Sequence, residues 1–313
     1  MASSGSSNFT VNRNEIINLA FTFAGIKGQG FALSAADIAD GAMLLNLIVK
    51  QWQGKSDFAP GLKVWSRKRA YLFPNTNTSS YSLGPSGDHF TAAYYSTTLD
   101  ANEAIGQTTL SVTSTANMTA ADYIGIRCND NSIHWSTISS FVTNDTVTIA
   151  AALTVAANSG ATVYHYTTKA PMPLNIISAR RKDTSNGETV MDPMLVEEYE
   201  AITNKANDGS PSRFLYERGI TNGTMKFDLE PTDTTEIYQT TYLRPIEDFD
   251  AATDTPDYPQ EWYRPLVGQL GMDACVWRGK PVPPELKLYR DEALSMAGNV
   301  DPDNQIMFFQ PEL

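Results

Sequence analysis

The sequence predicts an α+β fold: a helical bundle built from N- and C-terminal helices, accompanied by β-strands and by an inserted small all-β module, either a sandwich or a barrel. Apolar residues recur at helical spacing near both ends of the chain. Short β-branched runs separated by Asn, Asp and Gly turns fill the middle. Within residues 97–168, Lys and Arg almost disappear and Thr, Ser and Ala dominate, which marks the inserted module.

These changes of composition divide the chain into four segments. We expect residues 1–95 and 169–298 to be two parts of one main domain, interrupted by a β domain at residues 96–168. Residues 299–313 follow the last predicted helix as a C-terminal extension.

The charge balance of the chain is acidic. Its 313 residues include 23 Lys and Arg against 35 Asp and Glu, which gives a net charge of −12. Such a surface disfavours a sequence-independent grip on nucleic acid, although a local basic patch remains compatible with it. Hydrophobic residues make up 42%, enough for a folded core. No apolar run reaches the roughly 20 residues of a membrane span, and the two cysteines predict neither a disulfide framework nor a metal cluster.

Two helices are predicted near the N-terminus. Asn12 and Glu15 have the spacing of a capping box, ahead of apolar positions that continue to Gly25. Ser34 is placed to cap a second helix, which ends before Gly54. The short connection between them predicts an antiparallel hairpin of helices.

The remaining elements follow from the same rules. In the inserted module, strands are predicted at residues 108–113, 122–128, 132–141, 145–151 and 161–166. The main domain is expected to resume with a strand at 174–178, a helix at 193–204 and strands at 212–218, 224–229 and 236–244. Two further helices are predicted at 262–277 and 285–297, the second opened by prolines.

Residues typical of catalysis form no recognisable constellation. His89, His134 and His165 have no partner at a metal-ligand spacing, so we expect ordinary imidazoles on or beside the sheets. The sequence contains no G-x-S-x-G elbow and no Walker loop, and the glycines between residues 25 and 30 are interpreted as a helix connection. We therefore predict no enzyme activity, no catalytic residue, no metal and no cofactor.

Two short basic runs stand out in this acidic chain: Arg67, Lys68, Arg69 and, further on, Arg180, Arg181, Lys182. They are either solvated strand ends or one positive patch, because both flank the predicted insertion. A patch of this kind would meet an acidic partner or passing DNA. The spacing of the runs does not decide between these partners.

The C-terminal extension carries an apolar cluster, namely Ile306, Met307, Phe308 and Phe309, between Pro302 and Pro311. The cluster either packs on its own subunit or docks into a groove of a partner.

Several segments together resemble head-to-tail adaptor proteins of tailed bacteriophages, also called tail tubular protein A or head completion proteins. They are the opening helical hairpin, GTMKFDLEP at 223–231, YQTTYLRPI at 238–246 and PQEWYRPL at 259–266. The insertion, with DYIGI at 122–126 and HWSTI at 134–138, is similar to small β modules inserted in phage structural proteins.

The resemblance implies a structural virion protein made in the host cytoplasm. Such adaptors form a ring, usually twelve-fold, between the capsid portal and the tail, around the channel through which DNA leaves without sequence-specific binding. The implied partners are the portal protein and the tail nozzle or tube proteins, with no membrane. For the inserted module two roles stay open, decoration of the outside of the ring or support of the tail fibres. The ring segments would be 14–25, 35–53, 262–277 and 285–297. The implied portal anchor is 299–313, with Ile306, Met307, Phe308 and Phe309 as its docking residues.

Two other interpretations stay open. One is a binding module of the tail or a fibre that recognises a glycan or another tail protein, through the aromatic residues Tyr94, Tyr95, Trp135 and Tyr164. The other is a cell-wall hydrolase, which would need a paired acid and base. Asp88, Glu103 and Asp122 offer carboxylates, but no local signature pairs any two of them.

Overall fold

β-strands outnumber helices along this chain. The computed structural model describes residues 5–28, 30–56, 59–61, 64–232 and 234–300, and within these ranges it contains five α-helices and sixteen β-strands. The helices are α1 (Arg13–Phe23), α2 (Ala35–Gln51), α3 (Val196–Glu200), α4 (Tyr263–Trp277) and α5 (Pro284–Val300). Single 3-10 turns occur at Val64–Ser66 and Gln260–Trp262.

The strands range in length from two residues to nine. In chain order, the first eight are β1 (Lys55–Ser56), β2 (Ala59–Pro60), β3 (Arg67–Leu72), β4 (Ser80–Leu83), β5 (Phe90–Thr91), β6 (Tyr95–Thr98), β7 (Thr109–Ser111) and β8 (Tyr123–Arg127). The other eight are β9 (Ile133–Phe141), β10 (Thr146–Ile149), β11 (Thr162–Tyr166), β12 (Asn175–Lys182), β13 (Glu188–Pro193), β14 (Arg213–Glu217), β15 (Gly223–Phe227) and β16 (Ile237–Leu243).

The predicted fold class is wrong. The chain is mostly β, with two large curled sheets and short helices, rather than a helical bundle that carries a small β module. The strands on either side of the predicted insertion are not accessories of a bundle, because eight of them pair into one sheet, while β1 and β2 pair only with each other. The predicted helix at 193–204 is also wrong in length, because Pro193 ends β13 and the helix spans only Val196–Glu200.

The chain forms two compact units, of which one comprises Met1–Ser66 and Ile246–Leu313. We call it the helical unit. Both predicted caps are confirmed: the Asn12 side chain accepts the Glu15 backbone N–H while Glu15 accepts the Asn12 N–H, and Ser34 and Asp37 form the same box at α2. These contacts satisfy backbone groups that a helix start leaves without partners.

Four helices share the core of the helical unit, where α4 packs against α1, α2 and α5. Trp52 and Trp262 are fully buried at its centre, with their rings 6.3 Å apart. Gly41 lets α2 approach α1 closely, because a Cβ at that position would lie 2.7 Å from Cγ2 of Ile17. The bounds predicted for α4 and α5 agree with the structure to within a few residues.

The other unit, Arg67–Pro245, contains both large sheets. We call it the β unit. Its eight-stranded sheet, the large sheet, has the order β4-β15-β14-β13-β12-β16-β3-β5. All its pairings are antiparallel except β13 with β14. It curls around one core that includes Leu72, Tyr81, Phe90, Phe227 and Tyr238.

The second sheet of the β unit is built from one continuous stretch of chain, residues 95–166. Its strands follow the order β6-β11-β8-β9-β10-β7. A bridge between Leu99 and Val112 joins the two ends, and the Thr113 N–H donates to the Thr98 carbonyl at 2.9 Å. The sheet therefore closes into a small barrel, which removes its exposed edges. Each of the five strands predicted in this region is present, and β6 is an additional one.

An aromatic cluster joins the barrel to the large sheet inside the β unit. Phe73, which follows β3, and Ile237 of β16 are buried against Ile133, Tyr164 and Tyr166 of the barrel. Rings of this size bury much apolar surface, so the two sheets share part of their hydrophobic stabilisation.

Candidate functional site

Large apolar side chains lie exposed along α1 and α5 of the helical unit. Leu19 and Phe23 are four residues apart on α1 and therefore share one side of that helix. The Phe23 ring meets the edge of Tyr289 on α5, with centroids 5.3 Å apart. On α5, Met296 and Val300 follow Tyr289 at helical spacing and are also exposed. We call these five residues the α1/α5 face.

A second exposed apolar surface lies on α2 and at the end of α4. Met43 and Leu47 are exposed on one side of α2, the side that also carries Asp40. Trp277, at the last position of α4, is 53% exposed and donates its indole N–H to Asp40 Oδ2 at 3.2 Å. Met43, Leu47 and Trp277 form the α2/α4 face.

An ionic contact fixes the α2/α4 face at one end. The guanidinium of Arg278, just after α4, pairs with Asp37 and lies 3.6 Å from Asp40 Oδ2. Hydrogen bonds from Ser34, together with Arg278, hold the pKa of the Asp37 carboxyl below its usual value. The end of α4 is therefore held at the start of α2, and the exposed indole of Trp277 has a defined position.

These two faces were not singled out as sites from the sequence. The signal was present, because Leu19 and Phe23, like Met43 and Leu47, repeat every four residues outside the stripe of core positions. Helical spacing alone does not distinguish a stripe that packs inside the subunit from one that stays exposed. The structure makes that distinction.

The first basic run lies in β3 of the large sheet. Ala70 and Leu72 of this strand point into the core. Because side chains alternate between the two faces of a strand, Lys68 lies on the core side, and Arg67 and Arg69 lie on the opposite face.

The second basic run lies in β12, within a strand that continues the core of the large sheet. Ala179 points into the core, so Arg181 shares its side, and Arg180 and Lys182 lie on the opposite face. Arg181 is mostly buried and forms an ion pair with Glu236, with Nη1 and Oε2 3.0 Å apart.

The sheet topology brings the two runs together. Strand β16 lies between β3 and β12, and its Thr241 pairs with Arg69 on one side and with Ser178 on the other. Arg69 is therefore level with a residue two positions from Arg180. Neighbouring strands lie about 5 Å apart, which places the backbones of β3 and β12 about 10 Å from each other.

Glu188 of β13 lies among these cations. Its Oε2 accepts a hydrogen bond from Arg180 Nη1 at 2.7 Å. That bond, together with the charges of Arg180, Arg69 and Lys182, lowers the pKa of the Glu188 carboxyl. Arg67, Arg69, Arg180 and Lys182 thus share the outer face of the large sheet, and we call these four residues the basic sheet face.

A groove of about 530 Å³ in the β unit borders the basic sheet face at Lys182. Its wall includes Tyr94, Tyr164 and the hydroxyl groups of Ser96, Thr98 and Thr162. Burial raises the pKa of Tyr164 to about 12, so its phenol stays protonated at neutral pH.

The four aromatic residues considered for glycan binding do not form one exposed platform. Tyr164 is buried, and its ring packs edge-on against Tyr94. Trp135 carries the imidazole of His89 flat on its indole ring. Tyr95 is exposed, with one side of its ring stacked on His165.

The three histidines lie apart in the β unit. His134 contacts Thr154 Oγ1 and the Ala151 carbonyl, both at 3.2 Å. His165 is buried in β11, and burial lowers its pKa. Among the residues that the structure describes, no cluster of three or more His, Cys, Asp or Glu side chains is arranged to hold a metal ion.

The three carboxylates considered for hydrolysis each accept a backbone N–H in a different place. Asp88 accepts from Ser82 at 2.7 Å. Glu103 and Asp122 accept from Ser111 and Thr119 at 2.7 and 2.8 Å. Each of them thereby holds a loop or turn in position.

The predicted portal-docking residues Ile306, Met307, Phe308 and Phe309 lie outside the residues that the structure describes. Over the described ranges, no helix has the length and apolar character needed to cross a membrane.

The chain matches no known protein-family model, and no curated protein matches it. The likeness to head-to-tail adaptors thus depends on sequence patterns alone.

Proposed function

We propose that this protein is a structural virion component that forms a ring between the capsid portal and the tail of a tailed bacteriophage, around the channel for DNA. The observation that carries the proposal is the pair of exposed apolar faces on the helical unit. Exposed apolar patches of this kind on a folded subunit mark interaction sites. The sequence resemblance to head-to-tail adaptors supplies the biological setting.

Two different faces suit a ring better than a two-fold dimer. A two-fold dimer uses the same patch on both subunits, whereas a ring joins one patch to a different patch on the next copy. The α1/α5 face is built around Phe23 and Tyr289, and the α2/α4 face around Leu47 and Trp277. We therefore infer that the α1/α5 face of one copy packs on the α2/α4 face of its neighbour.

The acidity of the chain also supports the proposal. With a net charge of −12 on each copy, a ring would repel DNA phosphates over most of its surface. Repulsion favours passage of the genome over its retention. The channel would then need no sequence-specific contact with DNA.

The direct test is mass photometry of the purified protein, alone and mixed with the portal ring of the virus that encodes it. We expect a cooperative shift to one saturated, ring-sized complex, twelve copies being the stoichiometry that the resemblance implies. If no such complex forms at any salt concentration, the proposed adaptor function is wrong.

A pair of variants tests the order of the faces. Leu19→Lys alters the α1/α5 face and Leu47→Lys alters the α2/α4 face, both at exposed positions. Each variant alone is expected to stop assembly, while a mixture of the two forms dimers through the one intact pair of faces. Ser140→Lys adds the same charge at an exposed position of β9 in the barrel, outside both faces, and is expected to assemble normally. If the Leu variants form complete rings on the portal, the two faces are not the ring contacts.

The portal anchor is tested separately with a chain that ends at Gly298. It retains nearly all of α5 and loses the apolar cluster of the C-terminal extension. We expect a folded subunit with reduced affinity for the portal. Undiminished complex formation would overturn the anchor assignment.

The alternative function as a glycan-binding module has less support. Of its four proposed aromatic residues, Tyr164 is buried and Trp135 is covered on one face by His89. Sugar recognition by stacking needs an open aromatic face, and the exposed ring of Tyr95 already stacks on His165 on one side.

A further inference from the structure

The basic sheet face is unusual for a chain of this charge. Arg67, Arg69, Arg180 and Lys182 share the outer face of the large sheet, in a protein whose acidic residues exceed its basic ones by twelve. Glu188 is the carboxylate whose pKa responds to this cluster, and it pairs with Arg180. Arg69, Arg180 and Lys182 all act on this one carboxylate, so positive charge exceeds negative charge among these four residues.

Five of the eleven residues from 247 to 257 are acidic, and we call this stretch the acidic segment. Glu247, Asp248 and Asp250 are exposed there. Asp248 lies 2.6 Å from Lys50, in an ion pair that is half exposed to solvent. The backbone N–H groups of Glu247 and Asp250 donate to Asp257 and Asp254 within the segment, and the Asp250 carbonyl accepts from Arg13 Nη1 at 3.0 Å. Among the described residues, the side-chain carboxylates of Glu247 and Asp250 form no ion pair.

The acidic segment is held in one conformation. Phe249 is buried in the core of the helical unit, and its backbone N–H donates to Asn46 Oδ1 at 2.9 Å. The carboxylate of Asp254 accepts the backbone N–H groups of Asp250 and Ala251 at 2.8 and 2.6 Å. Carboxylates carried by such a segment lose little conformational entropy when they bind.

We propose that the basic sheet face of one copy binds the acidic segment of a second copy, as a polar contact between neighbours in the ring. This inference rests on the proposed ring, where two copies lie side by side. Complementary charge favours the pairing, and it would set the register of the neighbours while the apolar faces provide most of the buried area. DNA is the less favoured occupant, because the surrounding acidic surface repels its phosphates.

The first experiment maps the contact in the full-length protein. Equal amounts of ¹⁴N and ¹⁵N protein are mixed, with and without the portal ring, and treated with a zero-length carbodiimide, which joins lysine amines to carboxylates. Mass spectrometry then separates links between copies from links within one copy. We expect mixed-isotope links from Lys182 to Glu247, Asp248 or Asp250. Links from Lys182 confined to its own chain would overturn the proposal.

The second experiment is a charge swap. Arg69→Glu on the basic sheet face and Glu247→Lys on the acidic segment both alter exposed side chains. Each change alone is expected to weaken assembly on the portal about tenfold, and the two changes in one chain to restore it, since the attraction is re-formed with reversed sign. Lys68→Glu is the matched control, because Lys68 lies on the other face of the same strand. Equal weakening by Arg69→Glu and Lys68→Glu would contradict the proposal.

The outcomes separate this inference from the proposed function. If the Arg69→Glu variant forms normal rings, the proposed adaptor function stands and the proposed contact between the basic sheet face and the acidic segment is wrong. If mixed-isotope links from Lys182 to the acidic segment form in the free protein but no ring forms on the portal, the contact stands and the adaptor function is wrong. If a 30-base-pair DNA duplex binds the wild type, Arg69→Glu abolishes that binding and no mixed-isotope link forms, the face is a DNA site and the proposal is overturned.

Discussion

The imidazole of His89 lies flat on the indole ring of Trp135, with ring centroids 3.6 Å apart and ring planes 7° from parallel. Its Nδ1 is 2.6 Å from the hydroxyl oxygen of Tyr166. The ring of Tyr123 stands edge-on beside the imidazole, and Lys169 contributes a nearby positive charge. Burial, and to a lesser degree Lys169, lowers the pKa of His89 to about 3. The junction between the barrel and the large sheet therefore contains a histidine that stays neutral.

We predict that this histidine makes the β unit sensitive to mild acid. In the unfolded chain, the pKa of His89 returns to about 6.5. Between that value and about 3, the unfolded state binds a proton that the folded state does not. The titration of His89 therefore leaves the free energy of unfolding unchanged above about pH 6.5. Below that value it lowers the free energy of unfolding, by at most about 1.4 kcal/mol per pH unit. Urea denaturation at pH 7.5, 6.5, 5.5 and 4.5 measures the slope.

His89→Asn tests the origin of that slope. Asparagine can keep a polar atom near Tyr166 but does not titrate. We expect it to be less stable than the wild type at pH 7.5 and to lose less stability between pH 6.5 and 4.5. His134→Gln is the control, because His134 lies away from the aromatic junction and binds Thr154. If His89→Asn has the same slope as the wild type, His89 is not the group that titrates.

We predict that a larger residue at Gly125 destabilises the β unit. It lies in β8 directly opposite Trp135, and a Cβ there would be 2.7 Å from the indole ring. The indole cannot easily withdraw, because His89 stacks on it. We expect Gly125→Ala to lower the free energy of unfolding by about 1–3 kcal/mol, the usual cost of overpacking. Thermal unfolding followed by tryptophan fluorescence measures the loss.

A double variant checks that this loss comes from the indole. With Trp135→Leu already in place, Gly125→Ala should cost clearly less than it does in the wild type, because the clash is absent. Additive losses from the two substitutions would place the cause elsewhere.

Local signals in the sequence predicted individual elements well. The Asn12 and Ser34 caps identified the first two helices, because a cap and its N3 partner lie within four residues of each other. The alternation of residues 123–126 and 146–149 identified two barrel strands, because this signal too lies within a few consecutive residues. Strands as short as β5 have too few residues to show any period, and they were missed.

The fold class failed because it depends on pairings between distant residues. Arg69 pairs with Thr241 and Tyr81 with Met225, and no local pattern encodes those partners. Without them, the flanking strands looked like additions to a bundle. The candidate site shows the same limit: the basic runs were visible in the sequence, but their division between two faces of one sheet required the register of β3 and β12.

The capping box at α2 gives a prediction for the helical unit. The Ser34 hydroxyl accepts the backbone N–H of Asp37 at 3.1 Å. Ser34→Ala removes this acceptor and should lower the free energy of unfolding by about 1 kcal/mol. Ser295→Ala is the matched control, since Ser295 is exposed inside α5 and alanine is the better helix former, so a gain of a few tenths of a kcal/mol is expected. Circular dichroism at 222 nm follows both variants in urea, and equal effects would contradict the capping role.

Removal of the barrel gives the last prediction. A chain that lacks residues 95–166, with Tyr94 joined to Thr167 by a short linker, loses the partners of Phe73 and Ile237 at the aromatic junction. These two side chains, buried in the intact protein, would become an apolar patch on the large sheet, and we expect the shortened chain to aggregate. Phe73→Thr together with Ile237→Thr should restore a soluble subunit, because the core around Leu72, Phe227 and Tyr238 does not depend on the barrel. Size-exclusion chromatography distinguishes the two chains. A monodisperse deletion chain without the threonines would mean that the junction contributes little, and aggregation of both chains would mean that the large sheet needs the barrel in order to fold.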